Sequence, residues 1–148
     1  MTGIKVYGRP APKGSMKCVG RRGRRAHVIV EELGPSIERW RDRLAPACQK
    51  LLTAHGGPLA GPLTVEVTFT LARPTTVPLT ARPWPSVRNG DVDKLARTIL
   101  DALQANGVIT DDAQVCELTA RKCYPDTPGC PDRLDRPGAI IRVYPIGE

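Results

Sequence analysis

The most regular pattern of apolar and polar positions runs from Leu63 to Leu71. Every second residue there is apolar, and the residues between them are threonine or glutamate. A period of two places all the apolar side chains on one face of an extended strand. The pattern therefore predicts a strand with one buried face. Weaker patterns of the same kind predict strands at Ile4–Gly8, His27–Val30, Gln114–Tyr124 and Ala139–Tyr144.

Two other segments repeat their apolar residues at intervals of three and four, which is typical of a helix with one buried face. The first follows Gly34-Pro35-Ser36, and we expect Pro46 to kink or divide it. The second runs from Asp91 to Ala105, where Asn106-Gly107 supplies a stop signal. The order strand, strand, helix, strand, helix, strand, strand predicts an α+β fold, with one mixed β-sheet and two main helices on one face.

The length of 148 residues fits one domain spanning residues 1–148. Two long loops are expected within it, a basic loop near residues 9–26 and a proline-rich loop near residues 72–90. Trp84 in the second loop has two interpretations. It is either a stacking residue for a nucleic-acid base or an aromatic side chain packed against its own loop.

The formal net charge of +7 favours a polyanionic partner such as nucleic acid, although a basic surface can also serve solubility alone. The charge is uneven, because the glycine-rich stretch near the N-terminus holds many cations and no acid. This stretch is interpreted as a DNA-binding segment that contacts phosphates. Its basic residues are Lys13, Lys17, Arg21, Arg22, Arg24 and Arg25.

Other features narrow the class of protein. No run of about 18 apolar residues could span a bilayer, and no apolar stretch near the N-terminus resembles a signal peptide, so a cytoplasmic location without membrane contact is expected. The five cysteines contain no CxxC pair, which favours reduced thiols. Cys116, Cys123 and Cys130 are evenly spaced, but no fourth zinc ligand is evident.

Four aspartates flank the second predicted helix. Asp91 and Asp93 lie at its first turn, and Asp111-Asp112 follow its end. Each pair alone has a structural interpretation, since aspartate caps helices and stabilises turns. Taken together, carboxylates that converge through a helix-to-strand connection form the oxygen environment that Mg²⁺ or Mn²⁺ prefers. In a basic protein, such a cluster suggests hydrolysis of phosphodiesters, with the metal activating water.

The same region resembles the RusA-like endodeoxyribonucleases, which resolve Holliday junctions. The family pattern is roughly D-x-D-N-L-x-K, then D-A-L, then G, then D-D-x-Q-V. This chain matches it without a gap through Asp91-Val92-Asp93-Lys94-Leu95-Ala96-Arg97, Asp101-Ala102-Leu103, Gly107 and Asp111-Asp112-Ala113-Gln114-Val115. Pro12-Lys13-Gly14 is similar to the family's early basic loop, and Lys122 stands where a basic residue often closes the strand.

The resemblance implies a homodimer that nicks two strands of a four-way DNA junction symmetrically with Mg²⁺ or Mn²⁺, in recombination and repair. It implies that Asp91, Asp93 and Asp112 bind the metal, with Asp111 as a neighbour of the site. Asp101 also matches the pattern and, at i+4 from Arg97, is interpreted as orienting that residue.

The chain departs from the family pattern at two catalytic positions. Lys94 replaces the family's asparagine, and Arg97 replaces its lysine. Arginine clamps phosphates but is a poor proton donor, so Lys94 is a second candidate for the cationic role. Two alternatives therefore stay open beside the junction resolvase. One is a nuclease for other branched or single-stranded DNA, and the other is a catalytically weakened DNA-binding homologue.

Overall fold

The computed structural model describes residues 3–13, 16–21, 27–31, 35–78, 82–86 and 90–147. It contains eight main elements and a short 3₁₀ helix at Asp112–Gln114. The elements are β1 (Ile4–Tyr7), β2 (Met16–Arg21), β3 (His27–Glu31), α1 (Pro35–His55), β4 (Leu63–Thr70), α2 (Val92–Ala105), β5 (Val115–Cys123) and β6 (Gly138–Pro145).

Four of the strands form one mixed sheet in the order β1-β6-β4-β5. Strand β4 pairs with β5 in parallel and with β6 antiparallel, and β1 pairs antiparallel with the other side of β6. The segment β4–α2–β5 is therefore a β-α-β unit, in which the helix carries the chain back between two parallel neighbours. The predicted α+β class with a mixed sheet is confirmed.

Both helices pack on the same face of this sheet. The side chains of β4 that alternate from Leu63 to Phe69 are buried with those of β6 and with the apolar faces of α1 and α2 in one core cluster. Trp40 of α1, Phe69 of β4 and Leu95 of α2 are each at most 1% exposed. The same strand presents Thr64, Glu66, Thr68 and Thr70 to the other face. The three threonines are buried too, so the prediction identified the face that packs on the helices but was wrong that only one face is buried.

Two details differ from the sequence-based expectations. The predicted basic loop near residues 9–26 contains β2, which pairs with β3 as a separate two-stranded sheet. The seven predicted elements occur in the expected order, and β2 is an eighth. Pro46 does not divide α1, which is one helix from Pro35 to His55.

In the proline-rich segment, residues 71–78 and 82–86 contain neither helix nor strand. Among the described residues, no helix combines the length and the apolar character needed to cross a membrane.

Candidate functional site

The N-terminus of α2 presents two exposed carboxylates. Asp91 occupies the N-cap position, yet its side chain makes no capping hydrogen bond. Its nearest cationic partner is Lys94, whose Nζ lies 3.9 Å from Asp91 Oδ2, and the Asp91 side chain is 53% exposed. Asp93 lies in the first turn and is exposed as well. The capping interpretation of Asp91 is therefore wrong, and its carboxylate is available to a ligand.

The backbone explains why a glycine precedes Asp91. Gly90 has a φ of +150°, and a Cβ atom there would lie 3.2 Å from Leu71 Cδ1. A side chain would be strained at this φ and crowded by Leu71. Leu71 follows β4 directly and donates its N–H to the carbonyl of Cys123, the last residue of β5, at 2.8 Å. The start of α2 therefore lies at the carboxyl ends of β4 and β5.

At the other end of α2, the two adjacent aspartates have different environments. The Asp111 carboxylate accepts a hydrogen bond from the Ala113 N–H at 2.8 Å, and the Gln114 side-chain oxygen accepts one from the Asp111 N–H at 3.2 Å. This reciprocal pair is a capping box, and the spacing Asp-x-x-Gln was its signal in the sequence. Asp111 is thus engaged in local structure. The exposed Asp112 carboxylate has no hydrogen bond or ion pair recorded within the described ranges.

The structure keeps these two acidic ends apart. The Asp112 N–H donates to Gln104 Oε1 at 3.1 Å, which places Asp112 beside the last turn of α2. A helix rises about 1.5 Å per residue, so Asp91 and Gln104 are about 20 Å apart along its axis. The sheet gives the same result, because Gln114 Nε2 donates to the carbonyl of Gly61 at 3.1 Å, just before β4 begins.

The expectation that the aspartates converge within one chain is therefore wrong. In the part of the chain that the structure describes, no group of three or more His, Cys, Asp or Glu side chains could hold a metal ion. The physical reason is that α2 is a continuous helix, so residues that flank its two ends are separated in space by the length of the helix. A single chain does not fit the three-carboxylate metal site, and the assignment of Asp91, Asp93 and Asp112 as ligands stays a prediction.

Basic residues accompany the N-terminal pair. Arg97 is exposed one turn after Asp93 on the same face of α2. Lys94 is half-buried in the first turn. Lys122 pairs with Phe69 and so projects from the helix-bearing side of β5, one residue before the strand ends. These three cations share the end of the β-α-β unit that carries Asp91.

The basic segment near the N-terminus begins on the flank of α2. The Lys13 N–H donates to the Lys94 carbonyl at 3.0 Å, and Lys13 Nζ lies 3.2 Å from Asp101 Oδ2. Asp101 thus forms an ion pair with Lys13. The sequence analysis missed this pair because 88 positions separate the two residues, and it interpreted Asp101 as a partner of Arg97 instead. Lys17 and Arg21 lie on β2, and their side chains are not described. Arg22, Arg24 and Arg25 lie outside the described residues.

Comparison with known protein families shows which class of protein carries this arrangement of acidic and basic residues. The family model for endodeoxyribonuclease RusA matches residues 8–131, which is most of the chain. The chain belongs to the RusA family. Endodeoxyribonuclease activity on DNA is the activity that the family indicates, and the matched range contains α2 with the acidic residues at both ends. The search of curated proteins found no match.

Proposed function

We propose that this RusA-family protein is a metal-dependent homodimer that resolves Holliday junctions by paired, symmetric nicks during recombination and repair. The observation that carries the proposal is the exposed pair Asp91 and Asp93 at the N-terminus of α2. The Asp91 side chain makes no capping hydrogen bond, and its ion pair with Lys94 is long at 3.9 Å, so the carboxylate stays exposed at the helix end. Exposed, adjacent carboxylates in a DNA nuclease are suited to Mg²⁺ or Mn²⁺.

The separation of the acidic ends supports a site completed by a second copy. In an isologous dimer, each contact occurs twice about the two-fold axis. If the two α2 helices lie antiparallel across that axis, then Asp91 and Asp93 of one copy meet Asp112 of the other, and the reverse. Two equivalent sites would result, about 20 Å apart along the helices. Such a pair of sites suits a substrate that is itself two-fold symmetric and receives two nicks.

A simpler alternative uses one chain only. Mg²⁺ is often held by one or two protein carboxylates together with substrate phosphate oxygens and water. Asp91 and Asp93 alone meet that requirement, and Asp112 would then have another role. The two arrangements differ in whether Asp112 must come from the partner, which can be tested directly.

The cations at the same end have a role that does not depend on the metal arrangement. Arg97 is exposed, and its planar guanidinium can hold a phosphate through two hydrogen bonds. The net charge of +7 draws DNA toward the protein as a whole. We infer that Arg97, with Lys94 and Lys122 nearby, positions the phosphodiester beside Asp91 and Asp93.

The test is to incubate the protein and its Asp91→Asn variant with end-labelled four-way, flap and linear DNA in Mg²⁺. We expect symmetric paired cuts in the four-way junction by the wild type, and junction binding without cuts by the variant. Cuts confined to flaps would instead assign the protein to another branched substrate. Junction binding without any cuts by the wild type would show a catalytically weakened homologue. The presence of Arg97 where the family has lysine would explain that result.

A further inference from the structure

The two tryptophans of the chain have opposite environments. Trp40 is 1% exposed in the core, whereas Trp84 is 45% exposed on the proline-rich loop. Trp84 lies between Pro83 and Pro85, and Pro85 is buried. Arg82, two residues before Trp84, is exposed as well. The loop thus presents a large apolar ring and a cation to solvent within three residues.

Side chains from outside the segment hold the backbone carbonyls of the loop around Trp84. Arg73 donates to the carbonyl of Arg82 at 2.7 Å and to that of Val77 at 3.2 Å. The same guanidinium is held by Asp126 at 2.7 Å and lies 4.1 Å from the centroid of the Tyr124 ring. The Arg73 guanidinium thus links the carbonyls of Val77 and Arg82, which lie in two different parts of the loop.

A second contact acts on the residue directly before Trp84. The Thr127 hydroxyl donates to the carbonyl of Pro83, and it also accepts the N–H of Tyr124 at 2.8 Å. Thr127 is fully buried. The carbonyls of the two residues before Trp84 are therefore both bonded, and the proline after it is buried. A side chain presented on a backbone restrained in this way loses little entropy when it binds.

The exposed ring lies at the end of the molecule that carries Asp91. Arg73 and Asp126 follow the ends of β4 and β5, respectively, so their ion pair places the loop at the carboxyl ends of these strands. Gly90 packs against Leu71 at the same end. The described parts of the proline-rich loop thus lie at this end of the sheet.

We propose that Trp84 stacks on a DNA base at the branch point, next to the strand that is cut. The proposal rests on the proposed function, because it takes branched DNA as the substrate. Every base has a π-face, so an indole can stack on any sequence. Bases at a branch lack a full set of stacked neighbours, and exposing them costs less than exposing a base within a duplex. Trp84 would therefore add preference for branched over linear DNA, with Arg82 beside it to contact phosphate.

The experiment uses tryptophan fluorescence, with the buried Trp40 as an internal reference. Wild-type protein, Trp84→Phe and Trp84→Ala are titrated with a four-way junction in EDTA, which prevents cutting. We expect the junction to quench wild-type emission but not that of Trp84→Phe, which retains a stacking ring and binds within about two-fold. Trp84→Ala should bind about 5- to 150-fold more weakly, the range expected for loss of one stacked base.

A second readout identifies the base as the contact. A 2-aminopurine placed at the branch point should be quenched by the wild type and by Trp84→Phe, but not by Trp84→Ala at saturating protein. Binding to linear duplex should change less than about two-fold in either variant.

Three results would overturn the proposal. If the wild type binds the junction while Trp84 emission and the affinity of Trp84→Ala are unchanged, stacking is wrong and the proposed function survives. If the emission follows protein concentration instead of DNA, and Trp84→Ala sediments as a smaller species, Trp84 is a contact between copies. If the wild type binds no branched DNA, both proposals fail.

Discussion

The N–H of Asp112 donates a hydrogen bond to Gln104 Oε1 at 3.1 Å, and this contact places Asp112 at the C-terminal end of α2. Asp91 stands at the other end as the N-cap residue. The helix between them therefore acts as a spacer of about 20 Å between two sets of acids. If the metal site needs both sets, a second copy must bring them together, and this spacing is the basis of the proposed shared site.

The adjacent residues Asp111 and Asp112 should respond oppositely to the same substitution. Asp111→Ala removes the capping box, so we expect a loss of about 1 kcal/mol in the free energy of unfolding, with cleavage retained. Asp112→Ala removes an exposed carboxylate that has no partner among the described residues, so we expect little loss of stability and a loss of cleavage. Urea denaturation and junction cleavage of the two variants measure both effects. Equal effects of the two variants on cleavage would contradict the separate roles.

The ion pair of Lys13 with Asp101 should contribute modestly to stability and not supply a metal ligand. The two side chains are 31% and 38% exposed, so solvent screening limits the pair to less than about 1 kcal/mol. A double-mutant cycle with Lys13→Met and Asp101→Asn, measured by urea denaturation, gives the coupling energy. We expect Asp101→Asn to retain cleavage. If Asp101→Asn abolishes cleavage while Lys13→Met does not, Asp101 belongs to the metal site.

The basic segment should act on all DNA forms alike. Replacing Arg21, Arg22, Arg24 and Arg25 with alanine removes phosphate contacts, and each lost contact lowers the slope of log affinity against log salt by about 0.9 on duplex DNA. We therefore expect weaker binding to junction and duplex with a flatter salt dependence. Binding titrations over roughly 50 to 200 mM salt measure this slope. An unchanged slope would remove these arginines from the interface.

The cysteines should differ sharply in reactivity. Burial raises the pKa of Cys48 to about 11 and that of Cys123 to about 12. Because the thiolate is the nucleophile, both should resist iodoacetamide in the folded protein at pH 8, whereas the exposed Cys116 should react. Peptide mass spectrometry of native and urea-denatured samples measures the labelling. Rapid native labelling of Cys123 would show that the end of β5 opens readily.

The same pKa values have a consequence for stability. The pKa of both thiols is raised in the folded state above the ordinary value of 9.0. Their contribution to the free energy of unfolding is therefore fully present below about pH 9. It is lost as the pH rises toward 11 and 12, because the unfolded chain releases these protons first.

Local patterns in the sequence predicted most elements of the fold, because periods of two and of three to four report directly which face is buried. Strand β2 was missed, since Gly20 and the arginines around it carry turn and loop signals, and its pairing with β3 stabilises the strand in spite of them. The β4 pattern predicted the strand and the face that packs on both helices, but alternation did not predict that Thr64, Thr68 and Thr70 are buried on the other face.

The candidate site was predicted only in part, for a geometric reason. The motif identified the acidic residues, but their nearness in sequence was mistaken for nearness in space. The rise per residue of α2 already sets Asp91 and Asp112 apart. The Lys13–Asp101 pair and the clamp by Arg73 join distant parts of the chain, and no local pattern encodes such contacts.

The measurement that tests the central claim most directly is subunit complementation on four-way junctions. Asp91→Asn and Asp112→Asn proteins are each inactive in this account, and sedimentation should report each near twice the monomer mass of 16.1 kDa. After mixing and subunit exchange, a heterodimer has one site with both residues intact and one with neither, if each site takes Asp91 from one copy and Asp112 from the other. The account therefore predicts that the mixture regains cleavage, as single nicks instead of paired cuts. A mixture that exchanges subunits and stays inactive would contradict a site shared between copies.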